Sequence, residues 1–358
     1  MTKILHVITT INRGGAENQL VVLVREQVKN GMDVSVIYLK GEPELEQELL
    51  AAGASVLHSI ANKMPFLQLF ELQLIAKIEK SLLHAHLPRA ELLTRFSAGK
   101  NDYVVSRHNA EPFFPGAPQL LSSYLSRLVI QKAKHVIAIS FAVSTFLIEK
   151  KEIKEIEKLS VVHYGYRPQP SEDRLTAKIN IDDRLGICIG TISRLTRQKD
   201  LPTLFSAFAQ FLIRHPNSTL LLVGGGEGKD QLLNLAKTLD IAKNIEWVGR
   251  TSQIPDYLSR MDIFVLSSLY EGFGLVLLEA MDAGVPLIAS NNSAIPEVLG
   301  EDFPGLVKTG DVADFVKKMN EYTNLNVREK VLKEQDVRLK TFNAEVMCSQ
   351  ISEIYSLR

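Results

Sequence analysis

The chain is poor in cysteine and carries no excess of either charge. Its 358 residues include two cysteines, Cys188 and Cys348, which stand far apart in apolar contexts. This spacing offers neither a disulfide framework nor a metal site, so we expect a reducing compartment. Lysine plus arginine and aspartate plus glutamate number 41 each, so bulk charge gives no sign of a nucleic-acid partner.

Long apolar runs are also missing. No stretch of 18 apolar residues occurs, which excludes a membrane-spanning helix from the expected structure. The apolar run at the N-terminus is too short for a signal-peptide core and indicates a buried strand, so we expect a cytoplasmic protein. One segment, KMPFLQLFELQLIAKIEK at 63–80, is apolar enough for peripheral contact with the inner face of the membrane. Packing against the first sheet is the favoured interpretation.

Familiar nucleotide and metal signatures are absent too. The chain has no G-x-G-x-x-G, and a phosphate loop fails at GGGEGKD because Asp230 follows Gly228-Lys229. His84 and His86 form an H-x-H pair that a strand would point in one direction. Without a third ligand the pair indicates core or site lining, and we expect no metal and no cofactor.

What the chain does have is a regular alternation of short apolar runs and longer helical patterns. Runs such as Ile4-Leu5-His6-Val7-Ile8 suit strands buried on both faces of a parallel sheet. The predicted strands are 3–9, 33–39, 54–58, 82–85, 102–106, 135–139, 159–162, 186–191, 219–223, 244–248, 262–266, 285–289 and 304–307. In the second half, helices are predicted at 200–214, 227–240, 253–260, 275–283 and 311–322.

The alternation stops once and then restarts. RPQPSEDR, at 167–174, holds two prolines and several charges, which is typical of a linker. The sequence therefore predicts an α/β protein of two doubly wound domains, 1–166 and 175–340, with a cleft between the carboxyl ends of their strands. The segment 341–358 is predicted to be an amphipathic helix that crosses back to the first domain.

Two strand-to-helix junctions carry ligand-binding features. Gly14-Gly15 follows the first strand and permits close backbone approach at a helix start, although a simple tight turn is the alternative. In TISRLTRQKD, Arg194 and Lys199 flank a loop before another helix. Two cations at a helix start suit a diphosphate, whereas a solvated basic loop is the alternative.

A third junction, LYEGFGLVLLEAM, places Glu271 before a helix and Glu279 inside it. The backbone N–H groups of 273–275 stand at the helix start and favour an anion or hydroxyls. Each carboxylate can accept from two vicinal hydroxyls of a sugar. Glu279 as a solvent-facing helix acid is the alternative, but an unpaired charge inside LVLLEAM would be costly.

These motifs together resemble a known family. EGFGLVLLEA contains E-x7-E, and with GTISRLTRQKD, VGGGEG, SAIPEVL and the N-terminal NRGGAE it resembles the retaining GT-B glycosyltransferases of family four, also called glycosyl transferases group 1. The resemblance covers nearly the whole chain and is strongest at 186–300. It implies the GT-B fold, in which two Rossmann-like domains face a central cleft. The first is the acceptor side and the second binds the nucleotide sugar.

The resemblance also implies roles for individual residues. Arg194 and Lys199 would hold the donor diphosphate, Glu279 the ribose, and Glu271 the sugar hydroxyls. His108 would lie beside the transferred sugar, where it could polarise a hydroxyl, although a lone histidine is often structural. The expected donor-binding residues are Gly15, Gly190, Arg194, Lys199, Gly224, Gly249, Arg250, Glu271, Gly272, Phe273, Gly274, Leu275 and Glu279. The expected acceptor-side residues are Gly14, His86, Arg107, His108 and Asn109.

Catalysis is expected to use His108, Glu271, Arg194 and Lys199 without a metal, because no Asp-x-Asp motif is present. The sequence departs from the family's pattern at Tyr164-Gly165, where many relatives have Asn-Gly. The implied activity is retaining transfer of a hexose or N-acetylhexosamine from a nucleotide diphosphate sugar, UDP favoured, to a glycan or lipid-linked acceptor of surface polysaccharide or lipopolysaccharide. The alternatives are another GT-B enzyme (an inverting transferase, a phosphorylase or an epimerase) and a non-catalytic nucleotide-sugar-binding module.

Overall fold

The computed structural model of the protein describes residues 3–168 and 186–357. The chain divides into two compact units, Met1–Arg167 with Phe342–Arg358, and Pro168–Thr341. From residue 169 onward, the predicted linker lies outside the described residues. Among those described, no helix has the length and apolarity needed to cross a membrane.

The first unit is built on a sheet of seven parallel strands in the order β3-β2-β1-β4-β5-β6-β7. The strands are β1 (Lys3–Ile8), β2 (Asp33–Tyr38), β3 (Ser55–Leu57), β4 (Leu82–His86), β5 (Tyr103–Arg107), β6 (His135–Ala138) and β7 (Leu159–Val161). The central strands β1, β4 and β5 are buried almost along their whole length. This burial on both faces is why apolar residues occupy most of their positions in the sequence.

Six helices connect these strands. They are α1 (Gly15–Lys29), α2 (Glu46–Ala51), α3 (Pro65–Glu79), α4 (Pro88–Ser97), α5 (Gln119–Ile130) and α6 (Phe141–Glu149). Helix α6 begins at Ser140, whose hydroxyl accepts from the backbone N–H of Val143 and so caps the helix. Proline stands in the first turn of α3 and of α4, where its missing N–H costs no hydrogen bond.

The second unit has a parallel sheet of six strands in the order β10-β9-β8-β11-β12-β13. The strands are β8 (Cys188–Ile192), β9 (Thr219–Val223), β10 (Ile245–Gly249), β11 (Ile263–Leu266), β12 (Leu287–Ser290) and β13 (Leu306–Val307). Its helices are α7 (Leu201–Leu212), α8 (Lys229–Thr238), α9 (Ile254–Arg260), α10 (Leu275–Asp282), α11 (Ile295–Leu299), α12 (Val312–Glu321) and α13 (Leu325–Leu339). The sequence did not predict α11 or α13.

The strand order in both sheets determines where a ligand can bind. In each unit the order reverses beside the unit's first strand, between β1 and β4 in one sheet and between β8 and β11 in the other. Loops that leave two strands at such a switch point diverge to opposite faces of the sheet, which opens a crevice at the strands' carboxyl ends. Both α/β units therefore have the doubly wound form that the sequence predicts.

The last helix, α14 (Ala344–Ser356), belongs to the first unit. It packs against α1 and contributes Cys348, Ile351 and Tyr355 to a core that also contains Ile4 and Val104. The Cys348 thiol is therefore a small buried packing group. The helix is fixed over the middle of the first sheet.

Helix α3 leaves an unusual amount of apolar surface uncovered. Only Gln68, Leu72 and Ala76 are buried. Phe66 and Phe70 are 65% and 68% exposed, and Met64, Leu67, Leu74 and Ile78 are exposed as well. Packing within the first unit, which the sequence favoured for this segment, therefore accounts for one side of the helix and not for the other.

Candidate functional site

Two loops at the switch point of the second sheet are fastened to each other. One follows β8 and contains the short 3-10 turn Arg197–Lys199, and the other follows β11. The N–H of Leu269 donates to the carbonyl of Gln198 at 2.8 Å, and the Gln198 amide donates to the carbonyl of Tyr270 at 2.9 Å. The Ser267 hydroxyl donates to the carbonyl of Lys199 at 2.8 Å. These bonds fix residues from both loops in one place.

Lys199 and Glu271 form an ion pair at this junction. Lys199 Nζ lies 2.6 Å from Glu271 Oε1, and the two side chains are 12% and 8% exposed. The hydroxyl of Ser268 donates to the same oxygen at 2.6 Å, and that of Ser293 donates to the Glu271 carbonyl at 2.7 Å. Of the two cations predicted to hold a diphosphate, Lys199 thus has an internal counter-ion.

Arg194 is an exposed cation of the same loop. Its guanidinium donates to Gln198 Oε1 at 3.2 Å, and no carboxylate in 3–168 or 186–357 forms an ion pair with it. An exposed guanidinium at the carboxyl end of a strand is available to an anionic ligand, and its fork geometry suits phosphate oxygens.

The loop after β11 ends at the start of α10. Gly274 precedes the helix with a φ of +90°, a left-handed conformation that favours glycine. Phe273 is buried beside it, and Leu275 is the first helical residue. The E-x7-E motif therefore spans a tight turn and the first five residues of a helix, so that Glu271 and Glu279 flank one helix start.

Glu279 is half-buried and differs from Glu271 in its surroundings. Burial raises the pKa of the Glu279 carboxyl from 4.5 to about 7, and no cation in the described part of the chain counters the effect. Since a carboxylate without a partner is costly at a half-buried position, a hydroxyl-rich ligand would supply what the fold does not. This is the environment that the sequence indicated.

Close packing requires glycine at two of the positions predicted to bind the donor, Gly224 and Gly190. A Cβ on Gly224 would lie 1.9 Å from the carbonyl oxygen of Ser193, because the glycine-rich loop presses against the loop after β8. A Cβ on Gly190, inside β8, would lie 2.2 Å from the sulfur of Met261. Both positions require glycine whether or not a ligand is present.

Gly249 and Arg250 end the neighbouring strand β10. The carbonyl of Gly249 accepts from the N–H of Gly224 at 2.7 Å, and a Cβ on Gly249 would meet no atom within 4 Å. Arg250 is exposed, with its side chain passing close to Gly225. Open space over Gly249 beside an exposed Arg250 is compatible with the predicted place near the base of the nucleotide.

In the first unit, the loop after β1 carries Gly14 and Gly15. Gly14 caps α1 in an extended conformation, and a Cβ there would lie 2.5 Å from Glu17 Oε2. Glu17 also accepts from the hydroxyl of Thr10 at 2.8 Å. Gly15 has no atom within 4 Å of a built Cβ, so the helix start is open above it.

Four histidines meet at the switch point of the first sheet. His6 of β1 and His84 of β4 are register partners, and His86 lies two residues further along β4. His86 Nε2 is 2.9 Å from His6 Nδ1, and His86 Nδ1 is 3.2 Å from His108 Nε2. The other nitrogen of His108 lies 2.5 Å from the hydroxyl of Tyr164. Sequence reasoning missed His6, which lies within an apolar run.

These histidines are neutral at physiological pH. Burial lowers the pKa of His6 to about 4 and takes those of His84 and His86 well below 6.5. Burial, helped by Arg107, lowers the pKa of His108 to about 3. The ordinary histidine pKa of 6.5 therefore does not apply to His108.

His6, His84 and His86 also lie close enough together to bind one metal ion. One nitrogen of each ring lies within 4.8 Å of the others, so His6 is the third ligand that the H-x-H pair lacked in the sequence. However, both nitrogens of all three rings already have hydrogen-bond partners. Those outside the group are Gln27, Tyr355, Ser106 and His108.

Arg107 is buried and lies between two carboxylates of the first unit. It is 6% exposed, with Nε 2.8 Å from Glu91 Oε2 and Nη1 3.6 Å from Glu152 Oε2. Its guanidinium lies over the ring of Phe113 at 4.5 Å. Burial raises the pKa of Glu91 to about 7 despite Arg107. The acceptor-side role of Arg107 stays a prediction, and two internal carboxylates balance its charge.

A cavity of about 160 Å³ lies at the end of β5 beside these groups, and its lining includes Glu91, Arg107, His108, Asn109 and Phe113. Asn109 is exposed and donates to Glu111 Oε1 at 2.8 Å. The structure thus gathers His86, His108 and Asn109 at one edge of the first sheet. It gathers Arg194, Lys199, Glu271 and Glu279 at the corresponding edge of the second.

Comparison with known families and proteins agrees with this division. The family model described as Glycosyltransferase Family 4 matches residues 13–169, and that described as Glycosyl transferases group 1 matches residues 173–337. The two matches lie side by side and together span most of the chain. Each one corresponds to one of the two units.

Two relatives with assigned activities are similar in sequence. The chain is 29% identical over 211 residues to the UDP-Gal:alpha-D-GlcNAc-diphosphoundecaprenol alpha-1,3-galactosyltransferase of Escherichia coli, with 55% of this chain and 54% of that protein aligned. It therefore spans about half the length of that relative. It is 28% identical to the GDP-mannose-dependent alpha-(1-6)-phosphatidylinositol monomannoside mannosyltransferase of Mycobacterium tuberculosis, over 85% of this chain and 84% of that protein.

A solved structure extends the similarity to the fold of the whole chain. Anabaena Alr3699/HepE, crystallised with UDP and glucose, superposes with a TM-score of 0.83 over 100% of both chains, at 21% identity. At that identity the likeness establishes the fold, which is the two-domain α/β arrangement of GT-B glycosyltransferases.

Proposed function

The chain belongs to the family 4, group 1 glycosyltransferases, and from this membership we propose a specific activity. The protein is a retaining, metal-independent transferase. It moves a hexose or N-acetylhexosamine from a nucleotide diphosphate sugar to a hydroxyl of a glycan or lipid-linked acceptor. This places it in the synthesis of surface polysaccharide or lipopolysaccharide, with UDP as the favoured nucleotide.

The observation that carries the proposal is the composition of the second unit's switch point. Arg194 is exposed there and has no carboxylate partner among the described residues, and Lys199 is paired with Glu271. Breaking a sugar–phosphate bond develops negative charge on the departing diphosphate. A fixed guanidinium and ammonium stabilise that charge in the place of a divalent ion.

Glu279 and the start of α10 complete the donor side. The half-buried carboxylate with a raised pKa gains hydrogen bonds when ribose hydroxyls reach it. The backbone at Phe273–Leu275 presents the positive end of the helix to sugar hydroxyls and the distal phosphate. UDP is favoured because HepE was crystallised with UDP and the Escherichia coli relative uses UDP-Gal.

The first unit supplies the acceptor side. His108 is neutral and half-buried at the end of β5, so it can accept a hydrogen bond from an acceptor hydroxyl without first losing a proton. A lipid-linked acceptor is proposed because both relatives named above act on lipid-borne sugars, according to their names.

The direct experiment is a transfer assay. The purified protein is incubated with UDP-glucose, UDP-galactose or UDP-N-acetylglucosamine and a synthetic diphospholipid-linked acceptor, and UDP release is measured. Acceptor-dependent UDP release with an α-linked product, identified by proton NMR, supports the proposal. Donor binding without release would indicate a binding module, and a converted free nucleotide sugar would indicate an epimerase. A β-linked product would contradict retention.

Peripheral membrane contact belongs to the same proposal. The uncovered face of α3 presents Phe66, Phe70 and Ile78, and the exposed Lys77 and Lys80 end the helix. An apolar face with cations beside it suits the surface of an anionic bilayer. We propose that α3 rests on the inner face of the membrane, where a lipid-linked acceptor is reached.

Vesicle sedimentation tests this contact. The protein should sediment with phosphatidylglycerol vesicles and less with phosphatidylcholine vesicles. Phe66→Ser/Phe70→Ser should remain in solution, whereas Ile213→Ser, which changes an exposed isoleucine of the second unit, should sediment like the wild type. Equal sedimentation of both variants would show that α3 is not the contact.

A further inference from the structure

His6, His84, His86 and His108 belong to one unbroken chain of hydrogen bonds. It runs from Tyr164 through His108, His86 and His6 to Gln27. The first three distances are given above, and His6 Nε2 lies 2.8 Å from Gln27 Oε1. The chain continues to Tyr355, His84 and Ser106 at 3.1, 2.6 and 2.8 Å. Apart from the half-buried His108, every member is less than 9% exposed.

The chemistry of a neutral imidazole gives this chain a direction. Such a ring has one N–H donor and one bare nitrogen acceptor. The Gln27 amide nitrogen donates to Tyr355, so its oxygen faces His6 and must accept from His6 Nε2. His6 Nδ1 is then the bare nitrogen and accepts from His86 Nε2. The tautomer of each ring thus determines the tautomer of the next.

From His6 through His86, the same argument determines the tautomer of His108. His86 Nδ1 is bare and accepts from His108 Nε2, so the proton of His108 resides on Nε2. His108 Nδ1 is bare, and the Tyr164 hydroxyl donates to it at 2.5 Å. Inward from Gln27, His84 Nδ1 contacts the hydroxyl of Tyr355 and His84 Nε2 contacts that of Ser106. A hydroxyl can donate or accept, so the bare nitrogen of His84 accepts from one of these two hydroxyls in either tautomer.

We propose that Tyr164 is a positioning residue for His108: together with His86, it clamps the ring between two hydrogen bonds and keeps the bare Nδ1 directed to where a substrate hydroxyl can replace the tyrosine hydroxyl. The catalytic part of this inference rests on the proposed function. Tyr164 stands where the sequence analysis noted a departure from the Asn-Gly of many relatives. The tyrosine ring reaches His108 across 56 positions of chain.

The alternative for the same residues is a metal ion held by His6, His84 and His86. A metal takes a bare nitrogen from each ring, whereas the directed chain commits the only bare nitrogen of each to a protein donor. A bound metal would therefore require the chain to be broken at three places. The two arrangements place protons on different nitrogens, which makes them distinguishable.

The first test is a nitrogen-15 NMR spectrum of the wild-type protein labelled at histidine, with resonances assigned from His108→Gln and His86→Gln. The proposal expects a protonated Nε2 and a bare Nδ1 on His108, His86 and His6. Protonated Nδ1 on His108, or a stoichiometric metal in the purified protein with altered ring nitrogens, would overturn it. This result is independent of enzymatic activity, so it stands even if the proposed transfer reaction fails.

The second test is kinetic and uses a matched control. Tyr164→Phe removes the hydroxyl that reaches His108. Tyr38→Phe removes another buried tyrosine hydroxyl, 3.1 Å from His58 Nδ1 on the same sheet but outside the chain. We expect Tyr164→Phe to lower kcat about tenfold with KM for the donor unchanged. His108 should keep its proton on Nε2, which His86 sets, but its Nδ1 resonance should shift because the hydrogen bond from Tyr164 is lost. Equal kcat values for the two variants, or an unchanged Nδ1 resonance of His108 in Tyr164→Phe, would refute the positioning role.

Discussion

Lys199 Nζ and Glu271 Oε1 lie 2.6 Å apart on loops that follow two adjacent strands of the second sheet. The residues are 72 positions apart in the sequence, and both side chains are largely shielded from water. Each is therefore the other's counter-ion before a donor arrives. The pair holds the two loops together and places an ammonium at the edge of the sheet where we propose that the diphosphate binds.

We expect either half of this pair to be needed for stability. Lys199→Met leaves the Glu271 carboxylate buried without a cation, and Glu271→Gln leaves the ammonium without an anion. Removing one partner of a shielded pair costs about 3–5 kcal/mol. Urea unfolding of both single variants and of the double variant measures the effect.

The double variant is the control for this prediction. If the ions depend on each other, Lys199→Met/Glu271→Gln should be less destabilised than the sum of the two single variants, because no charge is left unpaired. Additive losses of free energy would mean that the two side chains contribute independently, in spite of their distance.

Glu279 predicts a dependence of stability on pH. Its carboxyl pKa is about 7 in the folded protein and 4.5 as an unperturbed group. Between these values the folded chain binds more protons than the unfolded chain, so this group's contribution to stability falls as the pH rises from 4.5 to about 7. Glu279→Gln should remove that loss and be more stable than wild type at pH 8 by about 1–2 kcal/mol.

Thermal unfolding of wild type and Glu279→Gln at pH 5 and pH 8 checks this expectation, with Glu353→Gln on the exposed side of α14 as a control. The same Glu279→Gln variant should bind UDP more weakly, because an amide accepts less well from ribose hydroxyls than a carboxylate. A variant with wild-type stability at pH 8 would show that Glu279 is not held in the environment described.

Arg107 should matter for folding. It is shared between Glu91 and Glu152 inside the first unit, so Arg107→Met would leave two buried carboxyls without their cation. We expect a loss of about 3–5 kcal/mol in the free energy of unfolding. Asn109→Ala, at an exposed position two residues after Arg107, should stay within about 0.5 kcal/mol of wild type. Equal stabilities would contradict the structural role.

The strands could be predicted from the sequence because each is a short buried run bounded by turn residues. All thirteen described strands were predicted to within two residues. Helix α13 was not predicted because LNVREKVLKEQDVRL is rich in charge and has little amphipathic pattern. Gln335 secures it by accepting from the N–H of Leu287 and donating to the carbonyl of Val285, contacts that no local pattern reveals.

In the candidate site, too, the sequence indicated some features and only the structure shows others. Glu271, Glu279, Arg194 and Lys199 could be found because they sit at strand-to-helix junctions with a recognisable spacing. The ion pair of Lys199 and Glu271, however, depends on β8 lying next to β11, which is a property of the strand order.

His6 was missed for a similar reason. A lone histidine in Ile4-Leu5-His6-Val7-Ile8 carries no signal until the register of β1 with β4 sets it beside His84. Arg107 was placed on the acceptor side because it precedes His108. Its partners Glu91 and Glu152 come from distant segments.

The central claim, that the loop after β8 binds the donor diphosphate, is tested most directly by calorimetric titration with UDP and with uridine. Wild type should bind UDP at least tenfold more tightly than uridine. Arg194→Gln should weaken UDP binding about tenfold, roughly the 1.4 kcal/mol of one charge-assisted contact, without changing uridine binding. Arg197→Gln, an exposed arginine of the same loop, should bind both like wild type. UDP affinity that is unchanged in Arg194→Gln would contradict the account.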